Sequence, residues 1–293
     1  MKPLAPLPLG RFQANRNAAL RLNATELEIV RASGKFLQCA PGSLHAVNDS
    51  LTFTSDVYPE IDVAYLGESD GEHFFAYLEF FDPDSTQFQN IRSLAPMLSD
   101  LEVGLAASAL ALVNWHTTHK HCPRCGAFTE ITQGGWSRWC EADSTEHYPR
   151  TDPVIIVGVI DADDRILLAR QAVWKETDYS IVAGFVEAGE TLESAVAREV
   201  KEETSIEIQD ISYLGNQPWP FPASLMLGFS ARATSKDIVV DGTEIAEAHW
   251  FTKVELADAC ENGRVRIPAK SSIARKIIEA WYESEMPDSW TRT

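Results

Sequence analysis

The chain has 293 residues, 43 of them acidic and 25 basic, for a formal charge of -18. This length exceeds what one small core needs and suits two or three packed units. The acidity excludes a general cationic surface that would gather a nucleic-acid backbone, so a nucleic-acid partner would have to be bound locally.

In residues 1–12, Pro3, Pro6 and Pro8 interrupt what would have to be the apolar helix of a secretory signal. The longest apolar stretch, residues 101–113, falls short of the roughly 20 residues needed to span a bilayer, so no membrane segment is expected. Five cysteines, three of them close together, do not read as a disulfide framework and fit a reducing cytoplasm, which is the expected location. Up to about Ser99, short β-like runs such as 51–54 and 74–78 alternate with polar turns. Residues 97–115 carry apolar side chains at helical spacing and many alanines, which predicts a helix. Residues 1–117 are therefore expected to be a small α+β domain with its connecting helix. Residues 118–150 form a compact segment with CxxC at Cys122 and Cys125 and a further Cys140, and they look like a zinc ribbon.

Beyond Pro149 the run 154–160 is almost entirely β-branched, and the pattern predicts strands over 154–160, 166–169 and 179–182. A Gly-punctuated loop and a helix over 192–203 follow, and an amphipathic tail, 271–283, predicts a closing helix. Strand, loop, helix and further strands describe an α/β domain over 151–293 whose sheet carries an active loop at one end.

The helix over 192–203 is the informative element. Glu199, Glu202 and Glu203 are related by i, i+3 and i+4 and share a face with Leu192, Ala195 and Val196, so the carboxylates continue a buried stripe. Like charges at a partly buried site repel and lose hydration, and a divalent cation neutralises them. Oxygen ligands without a thiol or imidazole in the segment point to Mg²⁺ or Mn²⁺, ions that also bridge phosphate oxygens. Glu190 stands eight residues before Arg198 and can hold it as a bidentate pair.

Gly184, Glu190, Arg198, Glu199, Val200, Glu202, Glu203 and Ile206 fall at the spacing of the Nudix box, and the segment is identified as a member of that family. Ser205 stands where the family has glycine, at a helix end that favours a left-handed conformation, at a cost of about 1 kcal/mol. Downstream, Asn216-Gln217-Pro218-Trp219-Pro220-Phe221-Pro222-Ala223-Ser224 resembles the SQPWPFPxS signature of the NADH pyrophosphatase branch, with Asn216 replacing the first serine. Three prolines at alternate positions forbid a helix and present Trp219 and Phe221 on a stiff loop suited to flat bases, while Gln217 and Ser224 can supply hydrogen bonds.

The resemblance covers about 175 residues and implies a C-terminal Nudix α/β/α sandwich, a zinc-ribbon-like segment and a homodimer. It implies that Phe185 stacks on nicotinamide, that Tyr148 is contributed by the partner subunit, that Glu244 is a distal metal ligand, and that Ala274 lines the nucleotide site. Cys122, Cys125 and Cys140 match three of the four ribbon thiolates, and the fourth falls on Asp143. Structural Zn²⁺ with a Cys₃Asp set is one reading, His147 or His121 as the fourth ligand is another, and a ribbon without metal is a third.

The expected activity is metal-dependent hydrolysis of the diphosphate of NADH or NAD to NMN(H) and AMP. Glu199, Glu202, Glu203 and Glu244 gather the cations, and Glu203 orients or deprotonates the water. Two alternatives remain: removal of NAD caps from RNA 5′ ends by the same site, and a non-catalytic nucleotide-sensing Nudix protein.

Overall fold

The computed structural model of the chain describes residues 1–82 and 87–291. They form two compact units, one of Met1–Pro8, Asp152–Gln217 and Leu225–Thr293, the other of Leu9–Thr151 and Pro218–Ser224. Among the described residues, no helix is long and apolar enough to cross a membrane.

The first unit is built on a six-stranded sheet. Its path runs Ile208–Trp219, Ser224–Ala233, Asp152–Ile160, Ile166–Gln171 and Ile245–Phe251, and Val182–Phe185 also pairs with Asp152–Ile160. The β-branched run is apolar throughout because alternate side chains enter two different buried faces. Ile155, Val157 and Val159 share a cluster with Ala195, Val196 and Val200 of the helix Leu192–Thr204. Ile156 and Ile160 share another with Leu256 of the helix Lys253–Glu261 and with Ile273 and Ile277 of the helix Ile273–Tyr282. One helix on one face and two on the other make the α/β/α sandwich.

The third strand differs from the expected 179–182. It is Val182–Phe185, paired antiparallel with residues 154–157, while Ser180 makes only an isolated bridge to Ala169. The reason is local bonding outside the ladder. The Tyr179 amide donates to the Arg266 carbonyl at 2.9 Å and its hydroxyl to Glu247 at 2.6 Å, so this stretch is satisfied as a buried crossing segment.

The second unit holds a seven-stranded sheet with the path Ser50–Leu51, Ser43–Val47, Lys35–Ala40, Glu72–Phe80 and Val63–Ser69, flanked by Phe53–Thr54 and Phe88–Asn90. The helix Asp100–Thr118 shares the core of this sheet. It starts at Asp100 because Ser99 and Glu102 close a capping box, and Glu102 also accepts from the Leu51 amide at 2.9 Å. The ribbon is a three-stranded antiparallel sheet of Glu130–Thr132, Ser137–Cys140 and Thr145–His147.

His116, buried near the end of that helix, ties it to the ribbon. Its Nε2 donates to the Gly135 carbonyl at 2.8 Å, and its Nδ1 accepts from Arg138 at 3.0 Å, while Arg138 also donates to Thr129. A neutral imidazole satisfies both bonds, and burial pushes its pKa from 6.5 down to about 4. The unfolded chain therefore binds a proton at higher pH than the folded chain. The stability supplied by this group is present above pH 6.5 and lost as pH falls towards 4. Urea unfolding is expected to show the wild type losing about 2 kcal/mol more than His116→Asn between pH 7 and 5. Parallel pH profiles for the two proteins would show that His116 does not carry this dependence.

Candidate active site

The helix Leu192–Thr204 begins where the Thr191 side chain accepts from the Ser194 amide and ends where Ser205 takes a left-handed conformation, φ 60°. Ala195, Val196, Val200 and Glu203 are buried on one side of it, so a carboxylate sits on the apolar stripe. Ser205 donates from its hydroxyl to the Val239 carbonyl at 2.9 Å, a bond that a glycine would lack.

Arg198 organises the surroundings. Its Nε and Nη2 donate to the two oxygens of Glu190, both at 2.9 Å, and the Glu190 carboxylate also accepts from the Glu187 amide. Nη1 donates to Glu199 at 2.9 Å and Glu202 at 3.0 Å, and Nη2 donates to the Phe185 carbonyl at 2.9 Å. One guanidinium thus fixes the loop, the strand end and two box carboxylates. Gly184 is needed for close approach, since a Cβ there would lie 1.9 Å from the Glu199 carboxyl carbon.

Glu203 is 4% exposed, and its Oε2 is buried without a hydrogen-bond partner. Burial, followed by the charges of Glu244, Glu199, Asp241 and Glu202, pushes its pKa up to about 8. Burial also raises that of Glu199, against the lowering effect of Arg198. An orphaned buried oxygen opposed by the charges of four neighbouring acids fits a hard divalent cation, and Glu199, Glu202, Glu203 and Glu244 are the residues that could hold it, although among the described residues no three of them bring their oxygens within 4.8 Å of one another. Glu244 is presented by a turn in which Asp241 accepts from the Thr243, Glu244 and Ile245 amides. These bonds, the one from Glu244 foremost, hold the Asp241 carboxyl far below its usual range. Sequence reasoning passed over Asp241, although Asp followed by Gly and Thr is a turn signal.

Among the residues expected to contact substrate, Phe185 is exposed and belongs to the same unit as the box. Gln217 is fully buried there, its Nε2 donating to the Ser271 carbonyl at 2.8 Å, with Gln217 Oε1 and Ser271 Oγ unpartnered. Ala274, in the helix Ile273–Tyr282, is 2% exposed and packs in the core instead of lining an open site as expected. Tyr148, Trp219, Phe221 and Ser224 belong to the other unit. Tyr148 is exposed and donates to Glu146 at 2.7 Å. Trp219 and Phe221 pack edge to face at 5.1 Å against the core of that unit. Arg92 lies 5.2 Å from the first ring and 4.2 Å from the second, and Asn114 donates to the Pro220 and Pro222 carbonyls. Arg92 and Asn114 are far from the loop in sequence, and no local pattern marks them.

In the ribbon, ligand atoms of Cys122, Cys125, Cys140 and Asp143 all lie within 4.8 Å of one another. Cys122 Sγ is 3.3 Å from Asp143 Oδ2, and Cys125 Sγ is 3.5 Å from Cys140 Sγ, near the separation set by about 2.3 Å zinc–sulfur bonds around a tetrahedron. The Thr145 hydroxyl is foremost in holding Asp143 ionised. Among the described residues His121 and His147 are outside this cluster: His121 faces Phe128 edge-on, and His147 contacts Thr145. The donor set present fits zinc with the carboxylate as fourth ligand.

Residues 149–271 match the NUDIX domain, and residues 117–148 match the NADH pyrophosphatase zinc ribbon domain. The chain is similar to the NAD-capped RNA hydrolase NudC of Mycobacterium bovis, 40% identical over 242 residues, which cover 78% of this chain and 77% of that protein. The protein of that name from Mycobacterium tuberculosis gives the same identity and coverage, 40%, 78% and 77%. An NAD-capped RNA hydrolase of Pongo abelii is 39% identical over 196 residues, which cover 63% of this chain and 42% of that protein. With both domain matches in register and relatives this similar over most of its length, the chain belongs to the NADH pyrophosphatase family of Nudix hydrolases.

Proposed function

We propose that the chain hydrolyses the diphosphate bridge of NADH or NAD to NMN(H) and AMP. The observation that carries this reading is the buried Glu203 oxygen without a partner among the box carboxylates, beside an Arg198 already saturated by Glu190, Glu199 and Glu202. As a Nudix hydrolase the chain uses a divalent metal, and Mg²⁺ or Mn²⁺ suits a set of oxygen donors. When bound, such an ion neutralises the diphosphate and lowers the pKa of a bound water.

In the reaction, the oxygen of water forms a bond to one phosphorus, the bridging P–O bond breaks, and the other nucleotide leaves with the bridging oxygen. Glu203 orients the water or takes its proton; Glu199, Glu202 and Glu244 hold cations; Arg198 and Glu190 keep loop and helix in register. Phe185, exposed in the same unit as the box carboxylates, stacks on nicotinamide. Tyr148 of the partner subunit completes the site, which makes a homodimer in the cytoplasm the working form.

A second reading is favoured by the names of the relatives, which are NAD-capped RNA hydrolases. A capped RNA 5′ end presents the same diphosphate, and a cap entering this site needs only local contacts despite the charge of -18. A nucleotide sensor without activity would not need the intact set of box carboxylates.

Incubation of the purified chain with NADH is expected to give AMP and reduced NMN in equal amounts only when Mg²⁺ or Mn²⁺ is present. No hydrolysis of NADH, NAD or ADP-ribose with any ion, with capped RNA cleaved, would support the second reading instead; no cleavage of any of them would leave the sensor. Glu203→Gln should lower turnover about 10²- to 10⁴-fold with an unchanged circular dichroism spectrum, and near-normal turnover would remove Glu203 from its role. Elemental analysis should find one tightly held zinc per chain, lost in Cys140→Ser and retained in Asp143→Cys; a chain that folds and keeps no zinc would leave the ribbon as a packed cysteine cluster.

A further inference from the structure

The second unit contains a cavity of about 450 Å³ that the proposed hydrolysis does not use. It is walled by the helix Ala24–Arg31, by Tyr65 and Phe75 from the sheet and by the turn at Gln133 and Gly134, and Arg21 and Arg31 line it. In both arginines Nε is buried without a hydrogen-bond partner.

Arg21 forms no ion pair among the described residues. Its guanidinium lies 4.4 Å from the Trp136 ring, and Arg16 lies 5.2 Å from the same ring. Burial first, and then the charge of Arg16, acts against the Arg21 cation, while the nearby Tyr65 phenol stays protonated up to about pH 12. Among the described residues Arg31 pairs with Glu28 at 3.7 Å, whose side chain is 74% exposed. Glu28 and Asp62 also line the cavity, and the Asp62 charge acts on His116 and Arg138.

In a chain with a surplus of 18 negative charges, carboxylates were available to neutralise these arginines. Instead Arg21 shares one indole with Arg16 and lines the cavity beside Arg31 with no ion pair of its own among the described residues, while Arg31 has only the exposed Glu28. Such an arrangement is stable when an anion supplies the missing charge. A guanidinium fork matches the oxygens of a phosphate in pairs, and stacking on an aromatic face holds the fork in orientation.

We propose that this cavity is a phosphate-binding site, in which Arg21 and Arg31 hold the phosphate group of a nucleotide and Arg16, across Trp136, adds to the positive field. The phosphate can come from a free mononucleotide or from the backbone of an RNA chain, since both offer the same oxygens.

Calorimetric titration of the full chain with inorganic phosphate, AMP and a 5′-hydroxyl oligoribonucleotide tests the site. Saturable binding is expected for at least one of them, and the double variant Arg21→Gln/Arg31→Gln should weaken it about tenfold or more while NADH turnover stays within about twofold of wild type. Loss confined to the oligonucleotide identifies RNA as the source; loss for phosphate and AMP identifies the free nucleotide. AMP held in the Nudix unit would be retained by the variant. If the variant does not fold, phenylglyoxal modification of the unaltered chain decides, with Arg21 and Arg31 expected to be protected by phosphate when mapped by peptide mass spectrometry. No saturable binding of any of the three, equal binding by wild type and a folded variant, or modification of both arginines undiminished by phosphate would overturn the proposal.

Discussion

The guanidinium of Arg198 ties the loop, the strand end and two of the box carboxylates together. It accounts for both oxygens of Glu190, one oxygen each of Glu199 and Glu202, and the carbonyl of Phe185. Without a fixed cation at this point, the acids of the helix Leu192–Thr204 and of the loop before it would repel one another and splay. Glu190, Glu199 and Glu202 in turn raise the pKa of Arg198 well above its ordinary value, Glu190 foremost, so that it stays charged. Gly184 completes the arrangement by leaving room for the Glu199 carboxyl where any side chain would collide.

Arg198 does not reach Glu203. That carboxylate is held on the apolar side of the helix, where the surrounding acids and the loss of water work against its charge. The site is therefore half compensated by the protein and half prepared for an external cation, which is what a hydrolase needs if the cation is to take part with the diphosphate. Asp241 contributes at one remove, its carboxylate bonded by three successive amides that shape the turn presenting Glu244.

Rigidity elsewhere is obtained by similar pairings. The proline-rich loop owes part of its stiffness to its own ring constraints and the rest to Arg92 over its two aromatic rings and to Asn114 on two of its carbonyls. Ser205, a departure from the glycine of the family pattern, takes the left-handed conformation, φ 60°, and gains a hydrogen bond to Val239 that offsets part of the strain. In the ribbon, Asp143 occupies the position of a fourth thiolate, with its carboxylate kept ionised by Thr145.

The carboxylate helix, its cap at the right residue, the two-faced strand Asp152–Ile160 and the ribbon cysteines could be read from the chain alone, because each depends on residues close in sequence and on a fixed period. The pairing of Glu190 with Arg198 was legible for the same reason, eight residues spanning a loop and a helix turn. Other features were not legible. The strand at Val182–Phe185 was displaced from the expected 179–182 because Tyr179 is bonded by Arg266 and Glu247, far along the chain. Most strands of the second unit escaped notice, since Lys35–Ala40 and Val63–Ser69 are buried on a mixed pattern with no clean alternation. The clamp of Arg92 and Asn114 on the loop, the orphaned atoms of Gln217 and Ser271, and the arginines gathered around Trp136 are likewise products of tertiary structure. Local sequence determines which residues share a face of one element; which charges remain unpaired once those faces are packed depends on partners many residues away, and only the folded chain decides it.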